Sequence, residues 1–292
     1  MPWSGPFKET ASENGESKEI TRSEIFCGSP ETALRREISA QEISEDTFKR
    51  TIEHITGEFR DIMPESQLAR IDIESENYKP KVLSAEDYSA RFPEADPSVL
   101  GHYDAEGRIY LKEGTPEAVN HVTTHEAMHL TSFKELDDSS VHREIYRSGI
   151  REVVYNEDGV TENNNQALNE GITELYAVRE MQRRGELSSI EALSAYSEAQ
   201  RKAYELQGIV GSEAIQKAYF GGEIESLTAE VNRLNYGDET AWERYSRNID
   251  ILEYSTDANE IRNARRELTI QNAVMTSFKE AEAWAKHTVG RS

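Results

Sequence analysis

An α+β fold is predicted for this chain, and three observations carry that expectation. Helix-period and strand-period apolar patterns mix between about residues 40 and 135. Nearly everything after that reads as helix, and the strongest helix opens at a recognisable start, Thr115–Pro116. The chain divides accordingly into a polar tail over 1–38, a mixed region over 39–185 and a mostly helical region over 186–292.

Residues 1–38 are rich in Ser, Thr, Glu and Gly with few periodic apolar residues, and are expected to be disordered. The segment EDTFKRTIEHITGEFRDIM then sets Phe48, Ile52, Ile55, Phe59 and Ile62 at helical spacing. SQLARIDIES alternates Leu68, Ile71 and Ile73 in the manner of a short strand. A loop with Pro93 and Pro97 follows, and GHYDAEGRIYLKEG reads as a hairpin that turns at 104–107. Thr115 is a natural N-cap with Pro116 at the first helical position, and Val119, Val122, Ala127 and Leu130 give this helix an apolar surface. The polar stretch from about Lys134 to Asn164, with YNEDG at 155–159, is expected to hold helical and turn pieces. A second strong helix buries Leu168, Ile172, Leu175 and Val178, and further helices are broken near Gly208 and Gly211, Gly221 and Gly222, and Gly237.

The net charge of −22, from 55 acidic and 33 basic residues, repels phosphate backbones, so nucleic acid is not an expected partner. No apolar run is long enough to span a membrane, and no Sec-type signal opens the chain. A cytoplasmic protein, or one exported without such a signal, is therefore expected. The single cysteine, Cys27, permits no intrachain disulfide and no thiolate metal cluster, and reads as a free surface thiol.

The chemistry concentrates in HEAMH. His125 and His129 are four apart, hence on one helix face, where two imidazole nitrogens can meet one ion at about 2 Å. Glu126 is offset enough to miss the metal yet reach a water beside it, which suits a general base. A catalytic zinc takes three protein ligands. Glu135 stands six positions after His129 with no Gly between them, so the extended HExxHxxGxxH pattern is absent. Further on, LNEGITELYA sets Glu170 and Glu174 one helical turn apart. One carboxylate there can bind the ion while the other accepts the free N–H of a ligating histidine.

On these two motifs the chain resembles the gluzincin metallopeptidases, which combine HExxH with a downstream helix bearing NExxxD or NExxxE. His125, Glu126 and His129 match the first motif; Asn169, Glu170 and Glu174 match the second, with Glu174 where Asp is usual in the best-known secreted members. The resemblance implies a zincin-like catalytic domain, with a small twisted sheet and an active-site helix, followed by a helical subdomain that completes the cleft. It implies one zinc ion on His125, His129 and Glu170, with Glu126 as general base and Glu174 and Asn169 supporting the ligands. It further implies that an edge strand around residues 101–112 binds substrate through main-chain hydrogen bonds. A Tyr or His often stabilises the oxyanion in this family, and Tyr155, Tyr176 and Tyr219 are the candidates. His121 and His142 read as structural or solvated. The expected activity is endo-hydrolysis of a protein or peptide substrate. The alternatives are a catalytically silent, zinc-stabilised interaction module and a delivered toxin or effector protease.

Overall fold

A computed structural model describes residues 39–77, 79–93, 99–103, 108–140, 143–156, 159–187 and 197–289. The expected disorder of 1–38, Cys27, Pro97, the turn at 104–107 and His142 lie outside the described residues. The described chain is α+β, with ten helices and seven strands in two small sheets.

Helix α1 (Ala40–Glu58) starts at Ser39, whose hydroxyl accepts from the Glu42 N–H while the Glu42 carboxylate accepts from the Ser39 N–H. Its buried face holds Phe48, Ile52 and Ile55. Small polar residues let it lie close to the later helix α4 (Pro116–Thr131): Thr47 donates to Asn120 Oδ1 at 2.6 Å and Thr123 donates to Ser44 Oγ at 3.1 Å.

The segment expected as a strand at 68–73 is instead part of helix α2 (Glu65–Asn77). Only Ile71 of the three aliphatic residues is fully buried, while Ile73 is 61% exposed, so no strand face exists to bury. Glu, Gln, Ala and Arg around them favour helix. The polar face of α2 braces α4: Gln67 Nε2 donates to Thr131 O at 3.1 Å, and Arg70 Nη2 donates to Leu130 O and Ser132 O at 2.7 and 3.0 Å. These contacts satisfy carbonyls that a helix end leaves without intrahelical partners.

The first sheet comprises β1 (Lys81–Leu83), β2 (Gly101–Tyr103) and β3 (Ile109–Lys112), in the order β1–β3–β2. Strand β1 runs parallel to β3, and β2 pairs antiparallel with it, Gly101 opposite Leu111. A short helix, α3 (Ala85–Arg91), separates β1 from β2. The edge strand β2 lies against α4, which begins at the Thr115 cap and Pro116 as expected.

The region 134–164 corrects the expectation of helical and turn pieces. It forms an antiparallel meander, β4 (Lys134–Ser140), β5 (Arg143–Ser148), β6 (Arg151–Asn156) and β7 (Gly159–Asn164). Its apolar residues come in tandem: Ile145 and Tyr146 on β5 face Val154 and Val153 on β6, one pair on each face. Such pairs stabilise a sheet across strands without producing alternation along them. The two-residue β5–β6 loop requires Gly149, whose φ is +60° and whose absent Cβ would meet Asn169 and the Tyr219 ring.

Helix α5 (Gln166–Arg183) packs against α4. Asn165, its cap, makes no side-chain capping bond; Asp250 on a later helix accepts the Ala167 N–H at 2.7 Å instead. The remainder is α6 (Glu198–Val210), α7 (Ser212–Gly221), α8 (Ile224–Leu234), α9 (Ala241–Tyr254) and α10 (Ala258–Val289). The breaks fall near Gly211, Gly222 and Gly237, whereas Gly208 lies inside α6. One buried apolar cluster runs from Phe48 on α1 to Met275 on α10, joining both sides of residue 186. Among the described residues, no helix is long and apolar enough to cross a membrane.

Candidate metal centre

Helix α4 carries two histidines one turn apart on the face turned to α5, and α5 answers with two glutamates at the same spacing. Behind α5, Gly171 has no room for a side chain: a Cβ there would run into the Ala199 backbone at the start of α6. That close contact, together with Ile172 and Leu175 in the core, fixes which face of α5 meets α4.

Three donor atoms converge. His129 Nε2 lies 3.1 Å from His125 Nε2 and 3.2 Å from Glu170 Oε2, and His125 Nε2 lies 3.5 Å from the same oxygen. Bonds of about 2.0–2.1 Å in a tetrahedron space their donors roughly 3.3 Å apart, so this triangle has the size an ion needs. The group can hold a metal ion. His125 is fully buried, while His129 and Glu170 keep 15% and 25% of their side-chain surface, so the triangle opens on one side.

Glu174 supports the triangle from behind. Its Oε2 lies 2.9 Å from His125 Nδ1, and its Oε1 lies 2.7 Å from His121 Nε2. An ionised carboxylate only accepts, so Nδ1 of His125 carries a proton, which leaves Nε2, on the side of the other donors, as the nitrogen to bind an ion. His121, read from the sequence as structural or solvated, is structural, and what the sequence did not reveal is its partner Glu174. The signal was the place of His121 four positions before His125, on the same face.

The electrostatics suit a dication. Burial alone would raise Glu170 and Glu174, but nearby imidazoles outweigh it. His129 and His125 hold Glu170 well below the usual carboxylate range, and His121 and His125 do so for Glu174. Glu126 differs: burial pushes its carboxyl up, against the opposing pull of His129 and His125. It sits beside the triangle on α4, buried against Gly101 of β2. A carboxylate raised above its ordinary pKa holds a proton more readily once it has accepted one, which suits a group that takes a proton from water and passes it on.

The other expected site residues are held elsewhere. Asn169 Oδ1 accepts the Ile150 N–H at 3.0 Å, tying the β5–β6 hairpin to the helix that carries Glu170. Tyr219 is fully buried, its hydroxyl 2.7 Å from Thr173 Oγ1 and 3.4 Å from Met128 O, bridging α5 to α4. Tyr176 packs among Phe59, Tyr219 and Phe220 in the core, and Tyr155 lies exposed on β6.

Comparison with protein-family models, with curated proteins and with solved structures finds no match to this chain.

Proposed function

We propose that this chain is a zinc-dependent peptidase of gluzincin type, acting on a protein or peptide. The observation that carries the reading is the His125–His129–Glu170 triangle with the buried carboxylate of Glu126 beside it. Two imidazoles and a carboxylate suit zinc, and three protein donors leave a position open to solvent and substrate. A zinc ion held there supplies Lewis acidity, polarising the scissile carbonyl and acidifying a water.

The chain's own residues supply the rest. Glu126 Oε accepts the proton of the attacking water and returns it to the leaving amine. Glu174 keeps the proton of His125 on Nδ1 and so leaves Nε2 free as a ligand. Strand β2 pairs with β3 and lies against α4 beside Glu126, and it is the strand we assign to pairing with an extended peptide.

The test is hydrolysis of casein and of a random peptide library, with and without a chelator, by wild type and by Glu126→Gln. The expected result is chelator-sensitive turnover that vanishes in Glu126→Gln while zinc content is unchanged. Full activity of Glu126→Gln would overturn the mechanism. Zinc binding with no turnover of any peptide would favour the silent, zinc-stabilised interaction module.

A further inference from the structure

Strand β2 approaches α4 most closely at Gly101. The direction in which a side chain would leave Gly101 runs into the gap between Val122 and Glu126, one helical turn apart on α4. A Cβ placed there would stand 2.6 Å from Val122 Cγ1 and 2.7 Å from Glu126 Oε1, whereas ordinary contact begins at 3.4 Å. The next residue, His102, faces the other way, stacked on Phe92 at 4.2 Å between centroids and 3.2 Å from the Tyr88 hydroxyl. Gly101 therefore meets the α4 face that carries Glu126.

We infer that Gly101 is a positioning residue, whose missing side chain leaves the space in which the Glu126 carboxylate is held. The inference rests on the peptidase reading, since it gives Gly101 a role through Glu126. The strand has little freedom to retreat. Gly101 is paired with Leu111, the Lys112 N–H is bonded to Leu100 O at 2.8 Å, and Leu111 is fully buried. Helix α4 is equally fixed, because Val122 is buried and α1 packs along its other side. The carboxylate of Glu126 is left to yield, by about 0.7 Å if it takes up the whole overlap. No atom of His125, His129 or Glu170 is among the three nearest to that space, so none comes closer to it than 3.4 Å and the metal donors stay in place. A misplacement of about 1 Å at a reacting group can cost on the order of 100-fold in rate.

The experiment compares wild type, Gly101→Ala, Val122→Ala and the double variant Gly101→Ala/Val122→Ala. Zinc stoichiometry, thermal unfolding, kcat and KM are measured with a quenched-fluorescent peptide chosen from the library by wild-type turnover. Gly101→Ala should bind one zinc, keep KM within about threefold and lose roughly 10- to 100-fold in kcat. The double variant removes the clash with Val122 and leaves the one with Glu126. It should regain thermal stability while its kcat stays low. Wild-type kcat in Gly101→Ala, or its full return in the double variant, would overturn the inference, because the fault would then be helix–strand packing. Either result leaves the peptidase reading standing. A wild type that turns over no peptide removes both.

Discussion

Glu174 joins two histidines of one helix: His121 Nε2 lies 2.7 Å from one carboxylate oxygen and His125 Nδ1 lies 2.9 Å from the other. The pair His121–Glu174 fixes the carboxylate from the side away from the donor triangle, so its second oxygen stays on His125. Partners of this kind typically change metal affinity by about 10- to 100-fold when removed. Glu174→Ala should therefore weaken zinc binding by roughly that range, and His121→Ala by about 10-fold, as read by competition with a chromophoric chelator. Unchanged affinity in both variants would count against the support assigned to this chain of contacts.

Glu170 supplies the only carboxylate oxygen in the triangle. Glu170→Ala should purify with well under one equivalent of zinc by elemental analysis, while its far-UV circular dichroism matches wild type. Stoichiometric zinc in that variant would remove Glu170 from the ligand set.

Asp250 gives a pH signature at the start of α5, outside the donor triangle. Burial pushes its carboxyl up to about 6, offset in part by the hydrogen bond from Ala167 and by Arg151. Because this lies above the unfolded value near 3.8, the folded state holds the proton more tightly. The associated stability is full below pH 4 and is lost as pH rises through 6. Asp250→Asn keeps an acceptor for the Ala167 N–H and removes the titration. Between pH 5 and pH 7 the wild type should lose about 1 kcal/mol that the variant keeps, measured by urea unfolding.

Two glycines should respond oppositely to the same substitution. Gly171→Ala would drive a methyl group into the Ala199 and Gln200 backbone and should cost about 3 kcal/mol. Gly208, inside α6 with nothing within 4 Å of its Cβ position, should gain up to about 1 kcal/mol as alanine. Denaturation midpoints check both.

Tyr219→Phe separates a structural hydroxyl from a reacting one. The lost bond to Thr173 should cost about 1 kcal/mol of stability. With the hydroxyl enclosed between α4 and α5, kcat should change less than threefold. A much larger fall would place this phenol in the chemistry.

What was legible in the sequence is what depends on spacing within one element. His125 and His129 share a face because they are four apart, Glu170 and Glu174 for the same reason, and Thr115–Pro116 announces its helix. What was not legible depends on approach between elements. His121 acquires a partner only because α5 sets Glu174 opposite it, and the closeness of Gly101 to Glu126 exists only once β2 lies on α4. Two local readings failed for a different reason. Leu68, Ile71 and Ile73 alternate without sharing a buried face, and Ile145–Tyr146 and Val153–Val154 pair across strands without alternating.

The donor triangle draws on two helices whose closest ligands, His129 and Glu170, are 41 positions apart, with the whole β4–β7 meander between them. An unfolded chain does not bring Glu170 to His125 and His129, so the folded form is the stronger chelator. Mass action then turns affinity into a folding force: free zinc at 100 times its Kd would add about 2.7 kcal/mol to the native state. Such an ion would act as a clasp across a long chain excursion, and the four-stranded meander would be held at both of its ends by the same atom.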